Sequence, residues 1–382
     1  MSDKKIKNNF LSWLEINLDN LSFNFRQIKK LICPKTKILV CVKKDAYGHG
    51  LVPVAKKLIK EGIDFFGVAS IKEAITLRKS DISTPILILG TSIPEDIEPI
   101  IKYDLRQSIS NYLLALALNS KASIFNKKIN IHIEIDTGMG RTGIVYKEAI
   151  DFIKKILRLK YLNIEGIFTH FPLAEKDPVF TSRQIRYFKE IRQKLIQENI
   201  YIPLYHAANS TALIRYKESH FDMVRPGLVV YGVYPRKGLN LKLKPVLALK
   251  SKIILVKKLP QGWGISYGHT YYTKRITNIV VIPIGYGDGY PRALSNKADV
   301  LIRGKRFRIS GTICMDQLMV DIGRHFGRIG EEVVLIGRQK KEFISVEELA
   351  KLCGTIPYEI LTSLGAHLPH LYIEDKGIVK DG

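Results

Sequence analysis

A chain of 382 residues is too long for one small hydrophobic core, so two domains are the natural expectation. Its 46% hydrophobic content excludes a disordered chain, and no stretch approaches the roughly 20 apolar residues of a membrane span. The formal charge of +24 is spread over pairs such as Lys29-Lys30, Lys56-Lys57 and Lys257-Lys258 rather than gathered on one face, so nucleic acid is not an expected partner.

Residues 1–10 read as a frayed terminus, charged and without the apolar core of a signal peptide. Residues 13–18 alternate as a strand, and Asp19-Asn20 are placed to cap a helix running to about residue 31. From there strand-like runs fall near 37–42, 64–69, 86–89, 106–109, 129–135, 164–169, 204–207 and 222–225. Helical patterns lie between them, as at 52–60, 71–78 and 148–157. Eight βα repeats in about 200 residues predict an α/β fold, a (β/α)8 barrel of the TIM type. A doubly wound open sheet is the alternative, weakened because no GxGxxG follows the first of these strands. The four cysteines, Cys33, Cys41, Cys314 and Cys353, lack CxxC spacing, so neither a metal site nor a disulfide framework is expected, and a reducing cytoplasm fits.

A barrel places its functional side chains where strands end at one face. After the first strand comes Lys43-Lys44-Asp45-Ala46-Tyr47-Gly48-His49-Gly50. A lysine in a partly desolvated site can lose its proton and form a Schiff base with a carbonyl, for which pyridoxal 5'-phosphate is the usual partner. Strand parity does not choose between Lys43 and Lys44. The fifth strand alternates Ile131, Ile133 and Ile135 with His132, Glu134 and Asp136, so a polar face points into the barrel. The later strands end in Thr169-His170, His206 and Arg225-Pro226-Gly227. From about residue 243 the pattern changes to short strands at 246–255, 279–283, 300–302, 307–309, 318–321 and 333–336. One helix, capped by Ser345, interrupts them. The expected domains are therefore a barrel at 12–242 and a mostly β domain at 243–382, with residues 12–18 candidates to join the second.

The ordered set of motifs resembles the alanine racemase family over about residues 12–375. Beside the Lys43 segment these are Asp136-Thr137-Gly138-Met139-Gly140-Arg141, Thr169-His170-Phe171, His206-Ala207-Ala208-Asn209-Ser210, Val224-Arg225-Pro226-Gly227, Ser266-Tyr267-Gly268, Gly285-Tyr286-Gly287-Asp288-Gly289-Tyr290, Cys314-Met315-Asp316 and Tyr358-Glu359. The resemblance implies a homodimer that uses pyridoxal 5'-phosphate to interconvert L-alanine and D-alanine, supplying D-alanine for peptidoglycan. It selects Lys43 as the lysine that carries the cofactor. Tyr47, Asn209, Ser210, Gly227, Leu228 and Tyr358 match phosphate-binding positions, and Arg225 matches the arginine facing the pyridine nitrogen. Lys43 and Tyr267, the latter from the partner subunit, match the two catalytic bases. His170 and His206 match positions linking that tyrosine towards Arg225. Arg141 and Met315 match substrate-binding positions, and Tyr286, Arg292 and Asp316 match entry positions.

Two departures stand out. Glu134 occupies a position where the family usually has a lysine, often carbamylated, so Glu134 is expected to hold Arg141 with a built-in anion. His367-Leu368-Pro369-His370 replaces the usual Arg-x-Pro-Arg. Other readings are a serine or broad-specificity racemase, or a non-catalytic pyridoxal-phosphate-binding protein. The last typically lacks the β domain and its tyrosine.

Overall fold

The structure, a computed structural model, describes residues 10–236, 238–375 and 377–379; the terminus expected at 1–10 lies, but for residue 10, outside them. Strand β1 (Ser12–Asn17) opens the chain yet pairs with its end, antiparallel to Leu247–Lys252 and parallel to His370–Glu374. The helix that follows, Leu18–Lys29, is capped by Asn17, whose side chain accepts from the Asn20 N–H, rather than by Asp19-Asn20. The capping residue lies in the strand itself because the chain leaves extended backbone only there.

Eight parallel strands then close on themselves: β2 (Lys37–Cys41), β3 (Phe65–Val68), β4 (Ile86–Ile88), β5 (Arg106–Ile109), β6 (Ile129–Asp136), β7 (Leu162–Phe168), β8 (Leu204–His206) and β9 (Met223–Val224). Each pairs with the next, and β9 returns to β2 through Met223↔Lys37 and Val224↔Ile38. The barrel is thus shut, and the open-sheet alternative falls. Parallel strands covered on both faces need apolar side chains throughout, which is why Ile38, Leu39, Val40, Phe66, Leu87 and Ile131 are all fully buried. The surrounding helices present one apolar stripe each; in Leu51–Lys60 it is Leu51, Val54, Ala55 and Leu58.

The rest of the chain is mostly β, with two departures from expectation. The run 246–255 is not one strand. Ile253 N–H bonds to Glu331 O and Ile254 N–H to Val281 O, so consecutive residues join different sheets and the strand divides into Leu247–Lys252 and Leu255–Leu259. A second helix, Pro357–Gly365, follows the expected Val346–Cys353. Pro357 sits in its first turn, where a missing N–H costs nothing, and it buries Ile360, Leu361 and Leu364. Among the described residues no helix is long and apolar enough to cross a membrane.

Candidate active site

The segment after β2 does not simply turn on its glycines. Lys44, Asp45, Ala46 and Tyr47 all take left-handed backbone, with φ of 52, 53, 51 and 54°. Each such residue costs roughly 1–2 kcal/mol, so surrounding contacts must hold the turn. The Glu73 carboxylate accepts from Lys44 N–H at 2.7 Å, and Asp45 Oδ1 accepts from Leu51 N–H at 2.7 Å. The ring Nδ1 of buried His49 lies 3.0 and 2.9 Å from the Ala46 and Tyr47 carbonyls, so it donates to them. The helix Pro357–Gly365 lies directly against the turn: a Cβ at Gly365 would fall 2.1 Å from Gly48 Cα. His370, at one of the departures from the family pattern, places Nε2 3.0 Å from Gly48 O and closes the same turn. The result leaves Lys43 half-buried and Lys44 exposed.

The charges of Lys43 and of a buried arginine act on the same two neighbours, Cys41 and His170. Arg225, 4% exposed, donates to the carbonyls of Thr169, His206 and Ala207 at 2.6, 2.8 and 3.2 Å. It also lies 2.9 Å from His206 Nδ1 and 3.4 Å from His170 Nδ1. The two histidines therefore flank the guanidinium instead of following one another. Burial, then the charges of Arg225, Arg141 and Lys43, pull the His170 pKa down to about 3, so that ring is neutral. These four groups share one field at the barrel mouth.

Around Tyr47 sits a compact set of donors. Tyr47 is buried between Tyr231 and Tyr358, at ring separations of 5.0 and 5.7 Å. A Cβ at Gly227 would lie 2.7 Å from the Tyr47 hydroxyl, so only glycine lets the two meet. Ser210 Oγ accepts from Gly227 N–H at 3.0 Å, and Asn209 caps the short helix Ser210–Arg215 while donating to Phe171 O at 3.1 Å. Leu228 begins a buried 3-10 turn beside them. Burial pushes the phenols of Tyr47 and Tyr358 well up, so both remain donors.

Asp136, which ends β6, serves a different purpose from Glu134. Asp136 accepts from the N–H groups of Gly138, Met139 and Gly140, which makes it the clamp of its own glycine loop. Glu134 is 4% exposed, its pKa raised by burial against the opposing effects of the Thr142 hydroxyl, Arg141 and Arg225. The expected ion pair with Arg141 is absent among the described residues. Glu134 takes its hydrogen bond from Thr142 instead, and Arg141, turned out by the loop, is exposed.

The remaining predicted residues collect elsewhere. Tyr267 and Met315 are 73% and 53% exposed, and Tyr286 is also exposed. They form one surface: Tyr267 O accepts from Thr312 Oγ1 at 2.9 Å, Tyr286 N–H bonds to Cys314 O, and Gly287 N–H to Met315 O. Asp316 and Arg292 are exposed nearby in sequence. The Tyr286 loop rests on the Pro357–Gly365 helix, where a Gly289 Cβ would strike Ser363 O at 2.3 Å. That helix thus has the Lys43 turn and the Tyr286 loop both packed on it. Glu73, His49 and Tyr231 were not singled out from the sequence. Ser70-x-x-Glu73 is a readable capping box, but nothing in it tells that Glu73 also reaches Lys44.

The chain matches the model of the alanine racemase N-terminal domain over residues 16–235 and of the alanine racemase C-terminal domain over 246–372. It is 44% identical to an alanine racemase of Halothermothrix orenii over 365 residues, 94% of this chain and 96% of that one. It is also 44% identical to one of Carboxydothermus hydrogenoformans, over 94% and 99% of the two chains. Its fold superposes on the alanine racemase of Clostridium difficile 630 with a TM-score of 0.93 at 38% identity, covering 97% and 98%. A Bacillus anthracis alanine racemase with bound L-Ala-P gives 0.90 at 35%, covering 97% of each. With both domains matched along nearly the whole length, this chain belongs to the alanine racemase family.

Proposed function

We propose that the protein interconverts L-alanine and D-alanine as a pyridoxal-phosphate-dependent homodimer in the cytoplasm, supplying D-alanine for peptidoglycan. The observation that carries this reading is Lys43, a half-buried amine at the barrel mouth that shares its field with Arg225 and His170. Near-full-length likeness to alanine racemases supports alanine over serine or a broader set.

The residues present fit the cofactor. Hydroxyls of Tyr47, Ser210 and Tyr358 with the Leu228 N–H are a donor set suited to a phosphate dianion; the Gly227 N–H donates to Ser210 Oγ and so leaves that hydroxyl's proton free to point at the phosphate, and Asn209 holds their loop. The close approach that glycine permits at Gly227 leaves no side chain to block that cradle. When bound, pyridoxal phosphate supplies an electron sink that acidifies the substrate Cα–H. Arg225 has donors only, so a ring nitrogen facing it must accept and stay unprotonated, which limits that sink and favours return of the proton to Cα.

Racemisation needs proton transfer on both faces of Cα. Lys43 serves one face. The partner subunit's Tyr267 serves the other, which is consistent with an exposed tyrosine that touches none of the barrel-mouth set in its own chain among the described residues. A phenol acts as a base only near positive charge, and Lys43, Arg141 and Arg225 supply it. Arg141 and Met315 receive the substrate carboxylate, and Tyr286, Arg292 and Asp316 line its entry. Purified protein given pyridoxal phosphate and L-alanine should form D-alanine, and borohydride reduction should place the pyridoxyl label on Lys43. No D-alanine, or a label on Lys44, would refute the reading.

A further inference from the structure

Hydrogen bonding does not stop behind Arg225. His206 Nε2 lies 2.8 Å from His132 Nδ1, and His132 Nε2 lies 3.1 Å from Glu165 Oε2. The same oxygen accepts from Arg106 Nε at 3.2 Å. Both imidazoles are fully buried, while the Glu165 side chain is 18% exposed. Arg106 opens β5, whereas Arg225 follows β9, so the chain of bonds runs through the barrel from the Lys43 mouth to the opposite end.

Its two ends fix every proton between them. A guanidinium has no acceptor, so His206 Nδ1 must offer Arg225 a lone pair, and the proton of His206 sits on Nε2. That N–H donates to His132 Nδ1, which leaves the proton of His132 on Nε2, directed at a carboxylate that only accepts. Protonating either ring would set two donors against each other. Burial depresses both imidazole pKa values, in keeping with two neutral rings.

The strand is shaped for this. Between β6 and β7 the register runs Ile131↔Ile164 and then His132↔Gly166, leaving Glu165 as the extra residue of a bulge. A bulge re-aims a side chain. Gly166 beside it has no alternative, since a Cβ there would lie 2.4 Å from His132 Nδ1 and 2.6 Å from Cε1. Meanwhile Arg225 has no carboxylate within ion-pair distance among the described residues.

We propose that Glu165 is a positioning residue: as terminal acceptor it anchors the His132 Nε2–H, and so holds the two rings in the tautomers that Arg225 requires, with the His206 lone pair fixed on the guanidinium in one orientation. Its accepting oxygen reaches the buried guanidinium through two neutral imidazoles. The catalytic consequence rests on the proposed role of Arg225; the tautomers do not.

Selective 15N-histidine NMR of the holoenzyme tests this. In the wild type both rings should be Nε2–H tautomers, and a proton on Nδ1 of either overturns the proposal whatever the variants do. Glu165→Leu removes the acceptor of the His132 Nε2–H, so that proton's resonance should leave its hydrogen-bonded position, and kcat/KM for alanine should fall by about ten- to a hundredfold, the size typical of losing a hydrogen-bond partner behind a binding group. Glu165→Gln should rescue both, to within about threefold, because His132 and Arg106 donate to one oxygen and so select the amide oxygen there. An unchanged His132 Nε2–H resonance and unchanged activity in Glu165→Leu, or failure of Gln to restore them, would overturn it. A wild type with the expected tautomers but no racemisation would refute the proposed function and leave the tautomer assignment standing.

Discussion

Gly365→Ala is the sharpest probe of how the Lys43 turn is held. The added methyl would meet Gly48 Cα at 2.1 Å, Gly48 O at 2.5 Å and Gly48 C at 2.7 Å. All three are backbone atoms, so no rotamer change relieves the contact. The two segments must part by about 1 Å, in an interior that is otherwise close-packed. Such overpacking costs about 1–3 kcal/mol. The strain falls on a turn whose residues 44–47 are already left-handed and which depends on this helix for support. Because the same helix carries Tyr358, the shift moves both the lysine and one phosphate donor. If that cost is taken out of cofactor binding, pyridoxal phosphate should bind about five- to a hundredfold more weakly, at 1.4 kcal/mol per factor of ten. Titration of the apoprotein, followed by absorbance, measures it. Gly354→Ala is the control: it meets the cost of a positive φ, which Gly365 does not have, but a Cβ at Gly354 meets nothing within 4 Å. It should lose about 1 kcal/mol of stability and bind cofactor normally. Equal affinity in Gly365→Ala and wild type would refute the idea that this contact holds the site.

Glu134→Gln keeps the shape of a buried side chain and removes a charge that acts on Arg141 and Arg225 through space rather than by contact, so it should raise the KM for alanine by about tenfold while cofactor uptake stays normal. Wild-type activity should be indifferent to added bicarbonate; steady-state kinetics with and without it check both points, and an unchanged KM in the variant removes the anion role. His49 supplies a pH signature. Burial lowers its pKa to about 3, and its Nε2 has no hydrogen-bond partner among the described residues. The unfolded chain takes up that proton near the ordinary value of 6.5 and the folded chain does not, so stability falls as pH drops from about 6.5 towards 3. The slope is at most about 1.4 kcal/mol per pH unit for this one group. Urea midpoints at pH 7.5 and 5.5 should differ by less in His49→Asn than in wild type, and equal differences would contradict the assignment.

The barrel was legible because parallel strands covered on both faces read as short apolar runs, and the places where those runs end pointed to Lys43 or Lys44, between which the family resemblance chose, and to His170, His206 and Arg225. The turn after β2 was not. Nothing in Lys44-Asp45-Ala46-Tyr47 favours left-handed backbone; Glu73, His370 and the helix Pro357–Gly365 impose it from distant sequence. Glu165 was hidden by a bulge, since one extra residue breaks the alternation that tells which face a side chain takes. The pairing of Glu134 with Arg141 failed for a related reason. Closeness in sequence suggested a contact, but the loop clamped by Asp136 brings Thr142 to the carboxylate and leaves Arg141 outside. The helix Pro357–Gly365 has Pro357 in its first turn but no side-chain cap to mark its start, and it was not expected.

Mixing two inactive variants decides whether two subunits complete one site. Lys43→Ala retains Tyr267, and Tyr267→Phe retains Lys43. Random exchange of equal amounts makes half the dimers mixed, each with one intact site, so about a quarter of wild-type alanine racemisation should return. No recovery, with subunit exchange demonstrated by mass, would mean that Lys43 and Tyr267 do not meet across the dimer.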